Sequence, residues 1–489
     1  MSAAAHTVSL ARLKRRALSL GAVKSFDHAM RFLLPVVLAR CLDTASFGQY
    51  RLLWLVVGTV SIIATLNMGA TLYFFVPRSE PGRKRLYVHH TMLFLAVSGL
   101  LWGFLVSPWN PALPAAMEPL APYGLLVPAF VALWIFTIVM DNLPSVDERI
   151  RWQAYVTLSV SALRVVLVGL GAWLTGGFLA ILWLLMAVVL FKVGLMLWYV
   201  RRHHGLQPPW FERAAFSEQF RHSAPIGVNN ALNGFKGQAD QWVAASLFAI
   251  SSFAAFSIAA LIGQMMTVLR LSVLQAFLPS MSRLQAAGDV RGMLDMNSRG
   301  NVMVGRLLYP VLAFTFVFAE EMVTLLYTAA YAEAAPAMRM YIIGMLPMAI
   351  EMGSLVLLLR RGSYALLVTV VTLALSVAVS WTAATHIGLA GAAAGSVLAV
   401  YLDRAIMLRH IAQHTGIPLR RLQNWHQLAL SLAVAAATAA LAWVLVEHIF
   451  PQRGPVLRLC VGAALFALVY APTFLRRGMA LSRKHKEAA

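Results

Sequence analysis

Apolar stretches of about twenty residues recur from one end of the chain to the other, separated by short polar segments. That length is what an α-helix needs to cross a hydrocarbon core of about 30 Å. Fourteen such spans are predicted, at about 18–40, 48–76, 87–107, 122–140, 152–174, 177–200, 222–248, 253–282, 300–326, 336–359, 363–384, 389–411, 426–449 and 456–475. No polar block is long enough for a separate soluble domain, so the chain reads as one integral membrane unit. Two spans break the apolar pattern with polar and charged residues at steps of three or four: Lys24, Asp27, His28 and Arg31 in the first, and Asn229, Asn233, Lys236 and Asp240 in the seventh. Such steps place each set on one helical face. A charge at the bilayer centre costs roughly 2.5–3.5 kcal/mol on insertion scales, and such residues face a bundle interior or a water-filled cavity.

The two stripes suggest an internal repeat. An offset of 206 positions sets Asp27 on Asn233 and Lys24 on Asn230, and it aligns Ser46, Phe47 and Tyr50 with Ser252, Phe253 and Phe256. The expected fold class is therefore an all-α polytopic membrane protein with about fourteen transmembrane helices. Residues 1–200 would form one six-helix lobe, 201–221 a cytoplasmic connector and 222–411 a second lobe in parallel repeat, a plan that transporters use. Residues 412–489 would add two further helices and a basic tail. Small residues cluster in spans 12 and 13, among them Gly391-Ala-Ala-Ala-Gly395, a spacing that allows close helix contact.

Composition and charge fix the setting. The chain has 489 residues, 60% hydrophobic and 12% charged, with a net charge of +21. In a soluble protein that charge would suggest nucleic acid; here the basic residues lie between spans, where they act as topology signals. Segments on one side of the predicted membrane, including both tails, hold 26 Lys and Arg, and the other side holds one, Arg453. The basic side is cytoplasmic by the positive-inside rule, which puts both termini in the cytoplasm. The basic N-terminus ahead of an apolar run resembles a signal peptide, but the charges from Lys24 to Arg31 interrupt the apolar core such a peptide needs, so the first span is expected to be retained. The longest inner loop, 201–221, mixes Trp210 and Phe211 with arginines and reads equally as a membrane-surface segment or a solvated connector. Two cysteines without ligand spacing imply neither a disulfide framework nor a metal site.

Candidate chemistry lies inside the spans. Counting the deep ionisable residues gives Lys24, Arg31, Arg164, Lys236, Arg270 and Arg306 against Asp27, Asp240 and Glu351, a balance that attracts anions. Arg and Lys suit phosphate, Arg by its planar fork and Lys as a point charge. Structural pairing with the three carboxylates is the competing reading of these cations. Lys192, near the inner end of span 6, reads as a snorkelling side chain. His89-His90 and His203-His204 read as solvated loop residues, whereas His28 in the first stripe is placed for hydrogen bonding or for carrying a proton. No catalytic constellation or Gly-rich phosphate loop is present.

The segment Leu38-Ala39-Arg40-Cys41-Leu42-Asp43-Thr44-Ala45-Ser46-Phe47-Gly48-Gln49-Tyr50 resembles the stretch joining spans 1 and 2 in polysaccharide transporters of the O-antigen flippase type, within the multidrug/oligosaccharidyl-lipid/polysaccharide (MOP) flippase superfamily. The resemblance implies a V-shaped pair of six-helix lobes and alternating access in a bacterial inner membrane. Its cargo would be an undecaprenyl-diphosphate-linked glycan, carried from the inner to the outer leaflet. Partners would be the lipid bilayer and, beyond it, glycan polymerase and export machinery, with no nucleic acid. No cofactor is implied beyond H⁺ or Na⁺ as coupling ion, with Asp27, His28, Asp240 and Glu351 as candidates by their chemistry. The substrate-binding candidates are Lys24, Arg31, Arg164, Lys236, Arg270, Arg306, Asn229 and Asn233. A lipid II flippase is the alternative, ranked second because its Arg-Asp-rich opening is missing from span 1. A drug antiporter would want an acidic or neutral pocket. A glycan polymerase or ligase would want a large basic outer loop, and every predicted outer loop here is short.

Overall fold

The computed structural model describes residues 30, 32–353, 355, 359, 362–451 and 453–486, with the side chains of 264–276, 362–363 and 471–486 outside the description. Among the described residues the protein is helical throughout. Nine helices among the described residues are long and apolar enough to cross a membrane, and three shorter apolar helical segments there, Phe32–Cys41, Ile250–Gly263 and Pro455–Tyr470, accompany them. The chain is a multi-pass membrane protein.

It divides into two compact units, Met1–Gln238 and Ala239–Ala489. The first contains α1 (Phe32–Cys41), α2 (Thr44–Ala64), α3 (Met68–Phe75), α4 (Pro81–Leu105), α5 (Leu126–Thr137), α6 (Leu143–Val146), α7 (Ile150–Thr175), α8 (Phe178–His203) and α9 (Arg213–Lys236). The division falls after α9, so the 201–221 connector and the helix counted from sequence as the first of the second lobe both lie in the first unit.

The motif that carries the family resemblance has a structural account. Asp43, in extended backbone, caps α2 by accepting the Ser46 N–H at 2.6 Å. Phe47 and Tyr50 are buried in the unit's core. Gln49 donates to the Pro119 carbonyl and accepts from the Tyr123 hydroxyl at 2.7 Å, tying α2 to the proline-rich 3-10 segment Ala115–Tyr123.

The span predicted at 48–76 is two helices. Leu66 and Asn67 take positive φ of 41° and 64° between α2 and α3. Carbonyls freed by such a break need donors where water is scarce. Ser98 donates to the Ala64 carbonyl at 2.7 Å and Ser223 of α9 donates to that of Leu66. Gly227 lies so close to the Leu66 backbone that any Cβ would collide with it, which fixes α9 against the break.

The second unit holds α10 (Ala239–Leu247), α11 (Ile250–Ala286), α12 (Val290–Val317), α13 (Ala319–Leu326), α14 (Ala334–Met345), α15 (Gly362–Ile387), α16 (Leu389–Thr415), α17 (Leu419–Leu422), α18 (Trp425–Ile449) and α19 (Pro455–Lys486). The close contact expected of Gly391 and Gly395 is present: both present bare backbone to α15, where a Cβ would strike the carbonyls of Ala383 and Ser376. α18 and α19 are fastened to the rest of the unit by polar bonds. Arg458 of α19 pairs with Glu321 of α13 at 2.9 Å and also with Glu447 of α18.

Candidate functional site

The first stripe, Lys24, Asp27, His28 and Arg31, lies outside the described residues, as does the side chain of Arg270 within α11. The remaining candidates fall into separate settings. On the last turns of α9, Asn229 and Asn233 are exposed and joined by the Asn233 amide, which donates to the Asn229 carbonyl at 2.8 Å. Lys236, half-buried, ends that helix.

The second stripe does not continue onto Asp240 as one helical face. A turn at Gly237-Gln238 ends α9, and Asp240 belongs to α10 in the second unit, where it is buried and accepts the Tyr341 hydroxyl of α14 at 2.7 Å. The turn is itself anchored, since Thr59 of α2 donates to the Gln238 side chain at 2.5 Å. Periodicity missed the turn because apolar and polar residues keep a helical rhythm on both sides of it.

Arg164 of α7 is turned into the first unit. It is buried, with its guanidinium 5.6 Å from the ring centre of Trp54, which in turn meets Trp134 edge-on at 4.9 Å. Arg306 of α12 donates to the Gln427 amide oxygen of α18 at 3.0 Å. Glu351 lies in a non-helical stretch after the 3-10 turn Leu346–Ala349 and is buried. Its backbone N–H donates to Asn301 Oδ1 at 3.0 Å, and its carbonyl accepts from Asn297 at 3.2 Å. Asn301 also donates to Gln423 at 2.9 Å, so a line of amides runs from the stretch after the 3-10 turn through α12 to the segment before α18. Sequence reasoning passed over Asn297 and Asn301, because the span predicted at 300–326 leaves Asn297 in a loop, whereas α12 begins at Val290 and sets the two one turn apart.

Two other expectations are corrected. Lys192 does not snorkel: it is buried inside the first unit, 2.8 Å from Asp141 and over the Trp134 ring at 5.3 Å. Asp141 ends the 3-10 continuation of α5, a position the apolar pattern did not mark. Three of the four paired histidines, His89, His90 and His204, are not solvated. His89 and His90 are fully buried in α4. His89 donates to the Gly205 carbonyl at 3.0 Å and stacks on Trp210 at 4.4 Å, while His90 accepts the Glu212 N–H at 3.0 Å. His204 and Tyr199 both donate to Asp147, at 2.8 Å and 2.6 Å. Burial alone would push the Asp147 carboxyl up, but these two hydrogen bonds and the charge of Arg149 hold it below the ordinary carboxylate range. The 201–221 connector is thus folded back onto the first unit. Adjacent histidines do not share a helical face, but here the two neighbours grip different points of one stretch of connector.

Among the described residues no group of His, Cys, Asp and Glu is arranged to hold a metal ion. The family model for polysaccharide biosynthesis proteins matches residues 13–285, more than half of the chain. The chain belongs to that family. No curated protein matches the sequence. Among solved structures, the inward-closed conformation of the lipid II flippase MurJ is similar with a TM-score of 0.70 at 10% identity, covering 94% of this chain and 99% of the flippase. An inward-facing multidrug resistance MATE family transporter of the MOP superfamily is similar with a TM-score of 0.60 at 15% identity, over 79% of this chain and 95% of the transporter. The MATE multidrug transporter DinF-BH, solved as a complex, follows at 0.56 and 12% identity, over 84% and 98%. The fold is that of MOP-superfamily membrane transporters, as the resemblance between spans 1 and 2 implies.

Proposed function

We propose that this family member is an alternating-access flippase for an undecaprenyl-diphosphate-linked glycan, moving it from the inner to the outer leaflet of a bacterial cytoplasmic membrane. The observation that carries the reading is the likeness to a lipid II flippase along 94% of the chain. Membership in the polysaccharide biosynthesis family points to the same class of cargo. The fourteen-span, two-lobe plan with cytoplasmic termini belongs to this reading. So does a cationic cavity in which Lys24, Arg31, Lys236 and Arg270 meet the diphosphate, with Asn229 and Asn233 beside them for glycan hydroxyls. Arg164 and Arg306 already have protein contacts, with Trp54 and Gln427, and serve such a cavity by the field they contribute. Asp27, His28, Asp240 and Glu351 are the groups proposed to couple transport to H⁺ or Na⁺.

Two cargoes share this chemistry. Lipid II has the more direct support, because the solved structure similar over nearly the whole chain is a lipid II flippase. An O-antigen-type oligosaccharide is supported by the family description and by the Leu38–Tyr50 motif. Depleting the protein separates the readings. Lysis with lipid II trapped on the cytoplasmic leaflet supports the first, and normal growth with a trapped lipid-linked polysaccharide unit supports the second. Unpolymerised glycan accumulating outside the membrane would overturn both in favour of a polymerase or ligase role.

A further inference from the structure

The connector between α8 and α9 has features that topology signalling does not need. A loop that only marks the cytoplasmic side has to be basic; it does not have to be held rigidly with its aromatic rings outward. Here three separate contacts hold it. Arg85 donates to the Pro208 carbonyl at 3.2 Å, His89 donates to Gly205 and His90 accepts from Glu212. The stacking of Trp210 on buried His89 covers one face of the indole, yet Trp210 remains 45% exposed and its neighbour Phe211 50% exposed.

Depth along α4 gives these rings a place. Arg83, Lys84 and Arg85 occupy its first turns, and His89 follows Arg85 by four residues, a rise of about 6 Å. Trp210 therefore stacks on α4 at a residue one turn beyond the basic cluster. Arg201 and Arg202, exposed in the last turn of α8, precede the connector, and exposed Arg213 opens α9 after it. Cations outside and aromatic rings one turn further in is the layering that suits the headgroup region: Trp at the level of the glycerol and Arg among the phosphates.

We infer that the connector of the first unit, with Trp210 and Phe211 as wedge and Arg83, Arg201, Arg202 and Arg213 as charge, is a docking surface for anionic phospholipid headgroups. The nearby carboxylates do not cancel the charge. Asp147, which accepts from His204 and Tyr199, and Glu218, which accepts from Tyr87, keep their charge, and with Glu80, Glu148 and Glu212 they make five carboxylates against ten Arg and Lys in segments 78–85, 147–151 and 201–221. Because the clamp fixes the rings beforehand, binding a lipid orders little of the protein. Arg213 and the candidate Asn229 are sixteen residues apart on α9, about 24 Å along the helix, and the inference stands whichever cargo is carried.

The test uses the full chain. Protein purified from mixed phosphatidylglycerol and phosphatidylcholine bilayers is examined by native mass spectrometry for retained lipid. The wild type is expected to retain phosphatidylglycerol preferentially. Arg201→Gln and Arg213→Gln are each expected to weaken that preference about fivefold, the equivalent of about 1 kcal/mol per basic residue at an anionic surface. Independently, lipids brominated high on the acyl chain are expected to quench wild-type tryptophan fluorescence more than that of Trp210→Phe. Equal retention of the two lipids, unchanged retention in the arginine variants, or unchanged quenching in Trp210→Phe would each overturn the proposal. So would a copurifying protein lost with Trp210→Ser while lipid retention persists, since that would make the face a protein interface.

Discussion

Lys192 is held by one carboxylate and one aromatic ring. Its side chain is 8% exposed, while that of Asp141 is 56% exposed, so the two partners of the pair have lost unequal amounts of hydration. Removing the carboxylate strands a buried charge, whereas removing both charges does not. Asp141→Asn is therefore expected to lower stability by about 1–3 kcal/mol, discounted for the exposure of Asp141. Asp141→Asn combined with Lys192→Met is expected to recover most of it, read as thermal unfolding in detergent. Asp147 carries a pH dependence. Its carboxyl is held below its ordinary value in the folded protein, so the folded state binds the proton less readily than the unfolded chain. The stabilisation is then complete above the unfolded value of about 3.9 and is lost as pH falls through the folded one. Asp147→Asn should melt earlier than wild type at neutral pH, and the gap should close in acid, below about pH 4. Neither site was legible in the sequence. Lys192 near a span end has the signature of a snorkelling residue, and Asp147 lies 52 and 57 positions from the groups that bond it.

At the scale of elements, most helices stand where the apolar pattern puts them, because bilayer length and helical rise fix how many apolar residues a span needs. The breaks do not stand in the pattern. The predicted span runs straight through Leu66-Asn67, and near Gly237 the polar stripe keeps its helical spacing across the turn; what permits the first break is a pair of hydroxyls supplied from 34 and 157 positions away. The glycine pair of α16 was legible, because small residues four apart leave a groove whatever helix fills it. Gly395→Leu is expected to separate α15 from α16 and to abolish folded yield, since the contact is with backbone that cannot move aside. Gly82→Ala, exposed and with open space around its Cα, is expected to be neutral in the same assay of monodisperse protein after purification.

For the whole molecule, the sign of the buried charge is the useful quantity. Within the predicted spans, six cations against three carboxylates would give the proposed cavity a positive sign, which a diphosphate cargo would answer. Arg31→Ala, Lys236→Ala and Arg270→Ala are expected to leave expression unchanged and to stop glycan export, measured as lipid-linked glycan retained on the cytoplasmic leaflet. Arg306→Ala is expected to act differently: it unties Gln427 on α18 and should lower thermal stability along with export. Export undiminished in all three of the first variants would sink the cationic-cavity reading.

The sequence by itself determined the class of the molecule: many apolar spans, a basic side, and a Leu38–Tyr50 motif that marks the family. These are local properties, each set by a residue's own affinity for water or lipid and by its neighbours in the chain. Only the tertiary structure decided which polar groups satisfy one another. It joined Asp240 to Tyr341, Arg164 to Trp54, Asn301 to Gln423 and the histidines of α4 to the connector. The physical reason is that a buried polar group needs a partner within about 3 Å, and packing brings that partner from a distant part of the chain that no local rhythm announces.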